Sequence, residues 1–193
     1  MTKTKSEDTL LMYVNDVLAL ERDIKEAVAR QIEDDEVANS PEAAAFLRQL
    51  LSSTAIRNSA LAELSESLGS GAGVIKETIA AAVGQLAGLY GKVRKHPVSR
   101  ILRDDYTALA LASTAYSMLY TTAVALRHEA TAVLAKRHLR QVTPLIMGLS
   151  HIIPAVVVAE LAADFPQVNH ESAEDGRIVT AEAWAQGGET VTH

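Results

Sequence analysis

Apolar positions recur in this chain at three- and four-residue spacing over long stretches, and no strand is read anywhere. Leu10, Val14, Val17, Glu21, Ile24, Val28 and Ile32 line one face of a first helix expected from about Asp8 to Ala38, with charge on the other face. Asn39-Ser40-Pro41-Glu42 then supplies a stop, an N-cap serine and a proline at the first helical position, so a second helix restarts at once. Its stripe runs Leu47, Leu50, Leu51, Thr54, Asn58, Leu61, Leu64 and Leu68, and Gly69 suits the left-handed residue that ends it. Val74 to Val93 predicts a shorter connecting helix weakened by Gly84, Gly88 and Gly91. A third helix is expected from about Pro97 or Asp104 to Leu126, with Asp104-Asp105 placing two acids at its mouth, where the helix dipole favours them. The fourth should cover His128 to Ala163 and bend at Pro144 and Pro154. Beyond Phe165-Pro166 the periodicity stops, so residues 1–165 predict the helical domain and residues 166–193 a flexible tail.

Two antiparallel hairpins joined by a short helix predict an all-α fold, a four-helix bundle with one long connection. Composition agrees: 48% of residues are hydrophobic but only 4% aromatic, so the core is built from Ala, Leu, Val and Ile. A chain of 193 residues can bury roughly 70% of the surface its unfolded form exposes, so no covalent staple is needed. The net charge of -6 offers no basic excess to a phosphate backbone, which argues against nucleic acid. The absence of cysteine excludes disulfides, zinc-thiolate sites and thiol nucleophiles. The N-terminus enters an amphipathic helix without the apolar core of a secretion signal, and a cytoplasmic location is expected.

Tyr13-Val14-Asn15-Asp16-Val17-Leu18-Ala19-Leu20-Glu21-Arg22 resembles the first helix of ferritin-like proteins, and Leu61-Ala62-Glu63-Leu64-Ser65-Glu66-Ser67-Leu68-Gly69 the end of their second. Asp104-Asp105-Tyr106, with Tyr116 and Tyr120 in an Ala-rich helix, is similar to the third helix of the general-stress (YciF-type) branch. The resemblance spans residues 8–163. It implies the ferritin-like arrangement, a stress-associated role and dimerisation through an exposed helical face. Members that bind iron or manganese use a Glu from each of two helices and a Glu-x-x-His pair from each of the other two. Glu21 matches the first of these. Between Glu42 and Glu63 there is no acid or histidine, helix three has no carboxylate from Tyr106 to Leu126, and helix four has none from Ala130 to Ala159. One carboxylate cannot balance two divalent ions, so the dimetal centre is expected to be lost and no bound cofactor is expected.

An inward Glu21 must find partners for its lone pairs or suffer desolvation. Three alternatives stand open: a buried hydrogen-bond network with Tyr116, Tyr120, Thr54 and Asn58, with Arg57 able to turn inward as an ion partner; a register in which Glu21 reaches solvent; or a surviving single-metal site for iron or manganese, with His151 as a further donor. His151, deep in an apolar run, reads first as a hydrogen-bonded core or interface histidine, whereas His128 and His138, flanked by Arg127, Lys136, Arg137 and Arg140, read as solvated surface. Met118 and Met147 read as packing. Serines and threonines without a base and an orienting acid make no hydrolase triad.

Tyr106 to Leu126 and Gln141 to Ala159 are free of formal charge and long enough to cross a bilayer, so a membrane hairpin is a further alternative. Ser113, Thr114, Ser117, Thr121 and Thr122 in the first stretch and two prolines in the second favour buried bundle helices instead. In the tail, Ile178, Val179 and Trp184 are isolated apolar anchors suited to docking on a neighbouring subunit or a protein partner. The expected role is structural or binding rather than catalytic, in a homo-oligomer, with a dimer favoured.

Overall fold

In the computed structural model residues 5–69 and 97–190 are described. Helix accounts for 90% of them, and they contain no strand. The elements are α1 (Lys5–Ile32), α2 (Asp35–Ala38), α3 (Pro41–Ser67), α4 (Pro97–Ala125), α5 (Glu129–Asp164) and α6 (Ser172–Thr190). The expected connecting helix from Val74 to Val93 lies outside the described residues.

The first helix is shorter than its apolar period suggests. The chain breaks at Glu33-Asp34, where the Asp34 side chain caps a separate single turn by accepting from the Glu36 N–H. Val37 continues the stripe across the break and is fully buried, which is why the period alone does not betray the stop. At α3 the proline sits at the first turn as expected, but Ser40 makes no side-chain cap; its carbonyl accepts from Ala44 N–H instead. Gly69 adopts φ 83°, the left-handed conformation read from the sequence.

Cross-helix contacts fix the helix directions. Asn15 meets Ser65 and Glu21 meets Arg57, so α1 and α3 are antiparallel. Glu21 meets Tyr116 and Gln31 meets Asp105, so α1 and α4 are antiparallel as well. Tyr116 faces His138, while Glu160 meets the N-terminus of α4, so α4 and α5 are antiparallel too. Hence α3 and α4 run the same way, and Gly69 and Pro97 lie at opposite ends of the four long helices. The core between them is Leu, Val, Ile and Ala, with Leu47, Leu50, Leu61, Leu102, Leu109, Leu119 and Leu149 wholly buried.

Helix α4 starts at Pro97, so Asp104 and Asp105 lie about two turns in rather than at its mouth, and both are buried. Its start is stabilised from α5: the Glu160 carboxylate accepts from the N–H groups of Val98 (2.9 Å) and Ser99 (3.1 Å), placing an anion on the positive end of the helix dipole. Helix α5 runs through both Pro144 and Pro154.

The segment expected to be a flexible tail instead forms a 19-residue helix, α6, running back along α5. Gly176 lets the two helices approach: a Cβ there would stand 3.1 Å from the Pro154 side chain. Arg177 donates to the His151 carbonyl, one residue beyond the Ser150 carbonyl that Pro154 cannot satisfy, and reaches Glu174 and Glu42. Ile178, Val179 and Trp184 remain about half exposed or more on α6.

Candidate functional site

Four long helices each send a polar side chain to one level of the core. From α1 comes Glu21, fully buried among Val17, Leu18 and Ile24. From α3 comes Arg57, three residues after Thr54 and four before Leu61 on the inward row, and equally buried. The two form a bidentate ion pair, with Arg57 Nε donating to Glu21 Oε1 at 2.6 Å and Nη2 to Oε2 at 3.0 Å. A planar guanidinium matches a carboxylate in this two-point fashion, which a lysine cannot do.

The remaining donors and acceptors close around the pair. Arg57 Nη1 donates to Ser53 Oγ at 2.6 Å and Nη2 also to Thr54 Oγ1 at 3.1 Å, while the Thr54 hydroxyl donates to the Leu50 carbonyl. From α4, the Tyr116 hydroxyl donates to Glu21 Oε1 at 2.8 Å. Burial and the adjacent Glu21 charge push the Tyr116 pKa well above its ordinary value, so the phenol stays a proton donor. From α5, the His138 ring stands edge-on to Tyr116 at 5.5 Å and 86°. Only 1% of His138 is exposed; burial first, then the charges of Arg137 and Arg57, lower its pKa to about 4. The imidazole is therefore neutral at pH 7.

Of the residues predicted for this site, Glu21, Thr54 and Tyr116 come together, and Arg57 joins them as the ion partner. Asn58, the residue after Arg57, is half-buried, with its Nδ2 buried and without a hydrogen-bond partner among the described residues. Tyr120 is half-buried on α4 and outside the hydrogen-bonded set. His151 is exposed rather than core, and stands 13 residues beyond His138, about 20 Å along α5. The structure therefore does not assemble a single-ion site from Glu21 and His151.

His138 is the residue that the sequence argument misplaced. Its basic neighbours suggested a solvated face, yet it belongs to the row Thr131, Ala135, His138, Val142, Leu145 and Leu149, every member of which is buried. That four-three alternation was the available signal. A second polar pair was also missed: Gln31 donates to Asp105 at 3.1 Å inside the bundle. Asp105 lies 11 residues from Tyr116, about 16 Å along α4, too far to share a ligand with Glu21. Among the described residues no three of His, Asp or Glu converge on a point where a metal ion could sit.

No known family model, curated protein or solved structure matches the chain.

Proposed function

We propose that the protein is a ferritin-like four-helix bundle in which a guanidinium has taken the place of the dimetal centre, leaving a non-catalytic, oligomeric protein of the cytoplasm with a structural, stress-associated or binding role. The observation that carries this is the buried, bidentate Glu21–Arg57 pair. The one inward carboxylate that matches a ferritin-like ligand is already neutralised by a cation held on both of its oxygens, and Tyr116 takes a further lone pair. To bind iron or manganese there, an ion must displace a buried arginine that has no other anion within reach among the described residues, at a cost of several kcal/mol (on the order of 3–5). The helix directions support the same proposal, since parallel α3 and α4 require one long connection.

A membrane hairpin of α4 and α5 finds less support, although both helices are long and apolar enough, with mean hydropathy 1.2 and 2.0 over their best windows. Because Tyr116 faces His138, the middle of the uncharged run of α4 is level with Lys136, Arg137 and Arg140 of α5, and a bilayer around that hairpin would hold three basic side chains near its midplane.

The test is a titration of the purified protein with Fe(II) and with Mn(II), anaerobic for metal retention, read by metal analysis after gel filtration, and repeated with Fe(II) in air-saturated buffer for oxygen uptake. We expect no stoichiometric retention and no oxygen uptake beyond that of free Fe(II). Retention of one or two ions per chain, lost in Glu21→Ala, overturns the proposal.

A further inference from the structure

Helix α6 is held to the bundle differently from the other long helices. Each of α1, α3, α4 and α5 sends a row of buried side chains into the core, whereas no residue from Ser172 to Gly187 is buried. The face that α6 turns to α5 is Ala173, Gly176, Arg177 and Thr180, while its large apolar side chains Ile178, Val179 and Trp184 stay 48%, 64% and 46% exposed. Little apolar area therefore fixes it in place.

Polar links do not make up the difference. Among the described residues, those joining α6 to α5 and to α3 both pass through Arg177: its Nε donates to the His151 carbonyl at 3.0 Å, and its Nη2 stands 3.9 Å from Glu42. The Thr180 hydroxyl is turned back onto the Gly176 carbonyl at 2.7 Å, so it asks nothing of α5.

Despite this light attachment, α6 covers an apolar surface. Val158 of α5 lies two residues beyond Val156 of the core row, about 200° around the helix, and so faces outward from the bundle. It stands one turn from Pro154, the residue that Gly176 meets, and is only 8% exposed. Its cover is α6.

The connection lets α6 move as a unit. Helix α5 ends at Asp164 and α6 begins at Ser172, with Pro166 between them. The bonds that close the start of α6 belong to it and its own approach: the Glu171 N–H donates to Asn169 Oδ1 at 3.0 Å, and the Ser172 hydroxyl donates to the Asn169 carbonyl at 2.6 Å. Arg177 also pairs with Glu174 inside the helix. None of these has to break when α6 leaves α5.

From these observations we propose that α6 is a reversible strap, which swings off α5 about residues 165–171 while the four long helices stay folded, with Arg177 as its latch. Opening bares Pro154, Val158 and the His151 carbonyl. The strap goes beyond the function proposed above and does not depend on it.

The chain has no cysteine, so Val158→Cys, a substitution of similar volume, supplies a single thiol whose reaction with a disulfide reagent reads the opening. Its labelling rate should depend only weakly on urea, because opening exposes little surface. Adding Arg177→Ala should accelerate labelling at least about tenfold, as expected for loss of a hydrogen bond from a charged group, with the thermal midpoint of the bundle unchanged. Gly176→Leu should also accelerate it by crowding Pro154, from which even a Cβ would stand 3.1 Å, although leucine strengthens the helix itself; undocking is thereby told apart from unwinding. In the unsubstituted protein, hydrogen exchange should show residues 172–187 opening together, ahead of α5. Labelling that both added substitutions leave unchanged overturns the strap. So does a urea dependence as steep as that of global unfolding, or exchange of α6 no faster than that of the core, since α6 would then leave only with the whole bundle.

Discussion

Burying an arginine is costly unless its donors find acceptors, and Arg57 shows how this chain meets most of that cost: four hydrogen bonds leave its five N–H groups, two of them to one carboxylate. His138 is held differently, neutral and edge-on to Tyr116, with its Nδ1 lacking a hydrogen-bond partner among the described residues. Protonating it would place a second cation beside Arg57 with only Glu21 to balance both. The folded pKa, about 4, lies below the ordinary value of 6.5, so the unfolded chain takes up this proton first as pH falls. Stability from this residue is intact above about pH 6.5 and is lost progressively down to about pH 4, by about 3 kcal/mol in all. Asp16 and Asp23, with raised pKa values, act in the opposite sense. Urea unfolding at pH 7 and pH 4.5 checks the sign: His138→Leu should lose markedly less stability than wild type over that interval, and equal losses would contradict it. Glu21 and Arg57 were legible in the sequence because both fall on the inward rows of their helices. His138 was hidden by Lys136 and Arg137, whose charges belong to other faces of the same helix.

Element boundaries followed local signals closely where those signals were backbone-based. Pro41 and Gly69 mark the ends of α3, and the His128 side chain accepts from Thr131 N–H to open α5. Tertiary capping could not be read that way. Val98 and Ser99 take their acceptor from Glu160, about sixty residues downstream, so nothing near Pro97 announced it. Replacing Glu160 with Ala leaves two N–H groups at a helix start without that acceptor and should destabilise the protein by about 1–2 kcal/mol, with hydrogen exchange of the first α4 turn accelerated. Unchanged exchange there would show that the cap contributes nothing. Helix α6 escaped sequence reasoning for the opposite reason. Its inner face is Ala173, Gly176, Arg177 and Thr180, too small and polar to register as an apolar stripe.

At the scale of the whole molecule, the helix directions and the polar contacts of the core describe one object: four long helices around a buried ion pair, with further buried polar pairs at other heights. The all-helical class was legible from periodicity alone. What periodicity could not supply was which polar residues meet, because that depends on the relative heights of helices that are far apart in sequence. Glu21 and Arg57 come from different helices, and Tyr116 lies 95 residues from its acceptor. The measurement that bears most directly on the central claim is a double-mutant cycle on the pair, reading chemical denaturation of wild type, Glu21→Leu, Arg57→Leu and the double variant. Each single change should cost about 3–5 kcal/mol by stranding a buried charge, and the double change far less than the sum, a coupling above about 2 kcal/mol. Losses that add to within about 0.5 kcal/mol would mean that the two side chains do not meet in the folded protein, and a guanidinium in place of the metals would have to be abandoned.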